Sequence, residues 1–150
     1  MKSLISILLL IPVFSSCASP SKSELDAEVK RLCAIDGGIK VYEMVRLPSD
    51  QFNEYGQINF YRPAQGENTL GSKYLFKVER IYYRQGNPEM SRTHYQVIRR
   101  SDQKLLGETV FYGRGGGDLP GPWHDSSFAC PSYAEADSLA LLTKIFVLTK

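Results

Sequence analysis

The segment Tyr74–Tyr112 constrains the fold more than any other part of the chain. In Tyr74–Arg84, Tyr74, Phe76, Val78 and Tyr82 fall on one face of an extended strand, while Lys77 and Glu79 fall on the other. Gly86-Asn87-Pro88 then turns the chain, and Thr93–Arg100 continues with Tyr95 and Val97 alternating. Ser101-Asp102-Gln103-Lys104 reads as a hairpin turn into Leu105–Tyr112. Three successive strands joined by short turns predict an antiparallel meander, because tight turns join antiparallel neighbours and parallel ones need a long crossover.

Helical signals flank the meander. Leu25, Val29, Leu32 and Cys33 recur at i, i+4, i+7 and i+8, predicting a helix over Glu24–Ala34. Ser21 with Glu24 has the spacing of a capping box, Ser23 is a direct cap, and Asp36-Gly37-Gly38 supplies the stop. Ile39–Val45 predicts a short strand ended by Pro48, and Gln57–Arg62 a weaker one. Near the C-terminus, Ala134–Thr143 reads as helix, extended here to Lys144, whereas Ile145–Leu148 prefers a strand. The expectation is a single α+β domain: an antiparallel meander with an N-terminal and a C-terminal helix packed on one face.

The first twenty residues carry a different pattern. Lys2 is followed by an apolar run from Leu4 to Phe14, interrupted by Ser6, and then by the small residues Ser15-Ser16 before Cys17. A run of this length is too short to span a bilayer, which takes about 20 residues, so residues 1–16 read as a cleaved signal peptide. The junction Phe14-Ser15-Ser16-Cys17 resembles the lipobox of bacterial lipoproteins, with Phe14 where that family usually has leucine. The resemblance implies lipid on Cys17, which becomes residue one of the mature chain. It also implies an outer-membrane address facing the periplasm, since Ala18, not aspartate, follows the cysteine. Residues 17–23 then form the lipidated cysteine and a short tether, and residues 24–150 the domain. The alternative is an ordinary secretory signal cut after Ala18.

With Cys17 assigned to lipid, the odd count of three cysteines leaves Cys33 and Cys130 as an even pair in a compartment that permits disulfides. A Cys33–Cys130 bridge is the expectation; two separate buried thiols are the alternative. Removing residues 1–16 from the 150 leaves 134 residues, enough for one domain, and takes away one charge, Lys2, so that +2 becomes +1. That balance argues against a general nucleic-acid binder.

Between Gly113 and Ser132 the composition changes. Five glycines, three prolines, the single tryptophan and one of two histidines gather in GRGGGDLPGPWHDSSFACPS. Such a segment in a compact domain is commonly either functional or disordered. Arg114 with Gly115-Gly116-Gly117 is a candidate anion cradle, although no GK[ST] follows; a tight turn at the sheet edge is the plainer reading. His124, Asp125, Ser126 and Ser127 have the residue types of a catalytic triad, but a triad is a geometry normally assembled from distant segments, and no G-x-S-x-G occurs. With His94 and His124 alone, and neither HExxH nor a paired CxxC, no metal or other cofactor is expected.

The aromatics of the meander (Tyr74, Tyr82, Tyr83, Tyr95, Phe111, Tyr112) interleave with Arg80, Arg84, Arg92, Arg99 and Arg100. They suit either cross-strand packing or a docking face. The tail (LGE, GGDLPGPWH, SSF and CP) is similar to small uncharacterised lipoproteins of Gram-negative bacteria, which implies no activity. The sequence thus predicts a membrane-anchored, non-enzymatic envelope module that binds another envelope protein or the cell wall. Candidate contacts are Arg114, Trp123 and His124, with Asp118 shaping the loop. Its rival is a small periplasmic hydrolase or ligand-binding enzyme that uses the 113–132 loop, with His124 and Asp125 joined by His94.

Overall fold

The computed structural model describes residues 19–119, 121–122 and 124–149. The first element is helix α1, Lys22–Asp36. Its start is fixed by the capping box: the Ser21 hydroxyl accepts from the Glu24 amide, and the Glu24 carboxylate accepts from the Ser21 amide. Strands β1 (Gly38–Val41) and β2 (Val45–Leu47) follow, dividing the predicted Ile39–Val45 strand in two. The three long strands are β3 (Tyr74–Arg84), β4 (Glu89–Arg99) and β5 (Lys104–Gly115); β6 is Ser127–Cys130. The chain ends in helices α2 (Tyr133–Ala136) and α3 (Ser138–Ile145) and strand β7 (Phe146–Leu148).

The meander forms as the alternation requires, with β5 pairing β4 and β4 pairing β3, all antiparallel. The other edge of β5 is shared. Its first half pairs β1 (Gly38 opposite Val110) and its second half pairs β6 (Tyr112 opposite Cys130). A separate two-stranded parallel sheet joins β2 to β7. The predicted Gln57–Arg62 strand is absent. Ile58 makes one isolated bridge to Phe52, and Pro63–Asn68 is a 3₁₀ turn, where Pro63 lacks the amide that a ladder would use.

Because neighbouring residues of a strand face opposite ways, β5 serves two cores. Val110 and Tyr112 join Met90 against Leu25 and Val29 of α1. The intervening residues face the C-terminal helices: the Thr109 hydroxyl donates to the Ala136 carbonyl, and Phe111 meets Tyr133 edge-on. Leu106, with Tyr74, Phe76, Val97, Leu141, Leu142, Ile145 and Phe146, belongs to this second, larger core. The helices therefore cover both faces of the sheet, not one as the sequence suggested. One β-bulge between β4 and β5, at Leu106, lets that residue join the side opposite to Glu108 and Val110.

The expected disulfide is present: Cys33 at the end of α1 is bonded to Cys130 at the end of β6, across a sequence separation of 97. It sits beside the α1 core, where Leu32, Cys33, Phe128 and Cys130 pack around its rim.

Candidate functional site

Strand structure extends further into the glycine-rich segment than its composition suggests. β5 runs through Gly115 and β6 begins at Ser127, so the loop proper is 116–126. Its base is braced by side chains at both ends. Arg114 lies on the α1 face of β5 and is 3% exposed. Its Nε donates to Asp26 Oδ1 at 2.8 Å, and its Nη1 donates to the carbonyls of Gly116 (2.7 Å) and Ser126 (2.8 Å). A buried guanidinium needs such a set of acceptors, since leaving water unpaired is costly. Arg114, a candidate contact in the sequence, braces the base of the loop in this structure.

The anion-cradle reading fails for the same physical reason. The amide of Gly116 donates to the Ser126 carbonyl at 2.9 Å, and that of Gly117 donates to Asn87 Oδ1 at 2.5 Å, so protein acceptors occupy both donors. The two glycines turn at φ +75° and +85°, a region costly to other residues, and a Cβ on Gly116 would lie 2.2 Å from Asn87 Oδ1. The glycine run serves a tight turn against the β3–β4 connection.

Asp118 does shape the loop. One carboxylate oxygen pairs with Lys22 Nζ and the other accepts from the Ser126 amide at 2.5 Å. The Lys22 ammonium first, then the Ser126 amide, hold this carboxyl far below the usual aspartate range. The Lys22 contact fastens the loop to the first turn of α1. Beyond Asp118 the described residues are open to solvent, including Leu119 at 83% exposure, Gly121, Pro122, His124 and Asp125. Cys17 and Trp123 lie outside the described residues. A depression of about 340 Å³ at the base of the loop is lined by Gly86, Asn87, Glu89, Gly115, Gly116, Asp125, Ser126 and Ser127.

His94 is not among the lining residues. It sits in mid-sheet on β4, where Nε2 is 2.7 Å from Glu108 Oε2 and Nδ1 is 3.9 Å from Glu79 Oε2. Tyr42 donates its hydroxyl to the other Glu108 oxygen at 2.5 Å. Burial raises the Glu108 pKa, but the bonds from Tyr42 and His94 outweigh it and hold the carboxyl below its ordinary value. Next to it, Asp36 accepts from Tyr112 Oη at 2.7 Å and from Arg92 at 3.0 Å. Burial and the Asp36 bond push the Tyr112 hydroxyl up to about 12.

This polar row on the α1 side of the sheet was missed in the sequence, although one signal pointed to it. His94, Gln96 and Glu108 alternate with apolar residues on the very strands that carry the core. Among the described residues no group of three or more His, Cys, Asp or Glu has a metal-binding arrangement. Compared with protein-family models, with curated proteins and with solved structures, the chain matches none.

Proposed function

We propose that this chain is a bacterial lipoprotein, exported and held on a membrane through lipid on Cys17, and that its α+β domain is a non-enzymatic binding or structural module of the cell envelope. The observation that carries the reading is the Cys33–Cys130 disulfide. Disulfides persist in oxidising compartments, and this one consumes the even pair, which leaves Cys17 as the single cysteine for the lipobox-like junction. The address that follows from Ala18 is the outer membrane, facing the periplasm, and the partner class is another envelope protein or the cell wall.

The docking surface within this reading is the outward part of the 116–126 loop, including His124, carried on a base that Arg114, Asp118 and the disulfide hold in place. A rigid base under an exposed tip lowers the ordering cost of binding. The rival hydrolase or ligand-binding enzyme requires His94, His124 and Asp125 around one cavity. His94 is instead partnered by Glu108 on the sheet, and Asp125 lines the loop depression without either histidine, so the binding module is favoured.

In-cell photo-crosslinking from position 124 of the lipidated protein tests the docking surface. One dominant protein or cell-wall adduct supports it. Background-level capture from 124, with the protein folded and anchored, rejects this surface.

A further inference from the structure

We infer that β3 is a self-association edge, pairing antiparallel with β3 of a second copy about Val78. β3 is the outermost strand of the sheet, eleven residues long, and bonded on one side only. Among the described residues, 76–82 make no backbone hydrogen bond outside the ladder with β4. The strand is also exposed beyond its first turns: Val78 is 57% exposed, Ile81 and Tyr82 are each 42% and Tyr83 is 53%. A long edge that exposes Val78, Ile81, Tyr82 and Tyr83 is a template for another strand, and its charged residues Lys77, Glu79 and Arg80 are of the kind that ordinarily blunts one.

The register follows from the ladder. The Arg100 amide donates to the Lys73 carbonyl, its direct opposite, so 73, 75, 77, 79 and 81 turn their backbone groups toward β4. Phe76, Val78, Arg80 and Tyr82 then present N–H and C=O to the free edge. A twofold antiparallel pairing centres on one of these or on a residue between them. Centred on Lys77 or Glu79, it opposes like charges; centred on Ile81 or Tyr82, it leaves Lys77 without an acidic partner. Centred on Phe76, it sets Lys77 opposite Leu75 of the second copy; centred on Arg80, it opposes two guanidiniums. Centred on Val78, it sets Lys77 opposite Glu79 of the second copy, twice by symmetry, on the face opposite to the Val78 pair. It also places Phe76 beside Arg80 of the second copy. Lysine, which ordinarily protects an edge, here meets its counter-charge. This charge complementarity selects a second copy as the occupant, and the inference does not depend on the lipid anchor.

The test uses the full chain in detergent with Val78→Cys. Directly opposed residues of a hydrogen-bonded pair stand about 5.5 Å apart at Cα, within disulfide reach. Mild oxidation is expected to give a covalent dimer, whereas Lys30→Cys, exposed on α1, gives none. Adding Lys77→Glu should cut the Val78→Cys yield about tenfold, and adding Glu79→Lys as well should restore it. Lys77 and Glu79 are both solvent-exposed, and an intact Cys33–Cys130 disulfide with unchanged circular dichroism shows that each variant folds. No Val78→Cys dimer, a yield indifferent to Lys77→Glu, or no rescue by the double exchange overturns the inference. Cross-linking only to an unlike protein overturns the second copy as occupant.

Discussion

At Arg114 a fixed positive charge is held inside the domain by the carboxylate of Asp26 and by the carbonyls of Gly116 and Ser126. Arg114→Met removes all of these bonds and leaves the Gly116 carbonyl short of a donor, while the Ser126 carbonyl keeps the Gly116 amide. Asp26, partly exposed, regains water, which limits the loss to about 2–4 kcal/mol. Urea denaturation should show this drop. His124→Ala, at an exposed position without such partners to lose, should stay within about 0.5 kcal/mol of the wild type. A large loss at His124 or a negligible one at Arg114 would contradict these assignments. The same pair shows what a sequence conceals at this scale. Arg114 in a glycine-rich stretch has the composition of a ligand-binding residue, and only the strand register turns it inward against α1. Asp118 was legible as a loop-shaping residue, but its Lys22 contact, 96 residues away, was not.

β5 is the element on which the fold turns, because α1, α2, α3 and the strands β1, β4 and β6 all touch it. Gly107 marks the closest approach: a Cβ there would lie 2.9 Å from Ile145 Cδ1 and 3.0 Å from the Lys40 carbonyl. Gly107→Ala should cost about 1–3 kcal/mol by overpacking, read as a lower urea midpoint at unchanged m-value.

The same strand places Tyr112 against Asp36, which gives an alkaline signature. The Tyr112 pKa is raised in the folded state, so its contribution is complete below about pH 10 and lost as pH rises toward about 12. Tyr112→Phe should lower stability at neutral pH by about 1–3 kcal/mol. It should also flatten the decline between pH 10 and 12 in pH-dependent thermal melts; an equally steep decline would contradict the assignment. β3 was legible to the residue, since its period-two pattern is long and only Arg80 interrupts its apolar face. β6 was not, because Ser127–Cys130 is short and its partner on β5 is reached only after the loop has closed.

Over the whole molecule, the disulfide joins α1 to β6 and so ties the ends of the sheet-forming region together. A loop of this length corresponds to about 4.7 kcal/mol in the chain-entropy view, and removal of a native disulfide from a small secreted domain typically costs about 2–5 kcal/mol. Cys33→Ser/Cys130→Ser should lower unfolding free energy within that range. Intact-mass measurement of the unreduced wild type should find no alkylatable thiol at either position.

The α+β class was legible from the two periodicities. The covering of both sheet faces was not, because a helix sequence shows that it has an apolar face without showing which side of the sheet receives it. Nor does the α1 stripe reveal the polar row of His94, Glu108 and Tyr42.

The central claim, a lipid-anchored envelope protein, is tested most directly by the mature N-terminus. The chain, expressed in a Gram-negative host and extracted from membranes, is digested and its first peptide read by mass spectrometry. The account predicts Cys17 as residue one carrying diacylglycerol and an acyl chain, with the lipid and the membrane fraction both lost in Cys17→Ser. A mature chain that begins at Ala18 or later, unlipidated, would contradict it.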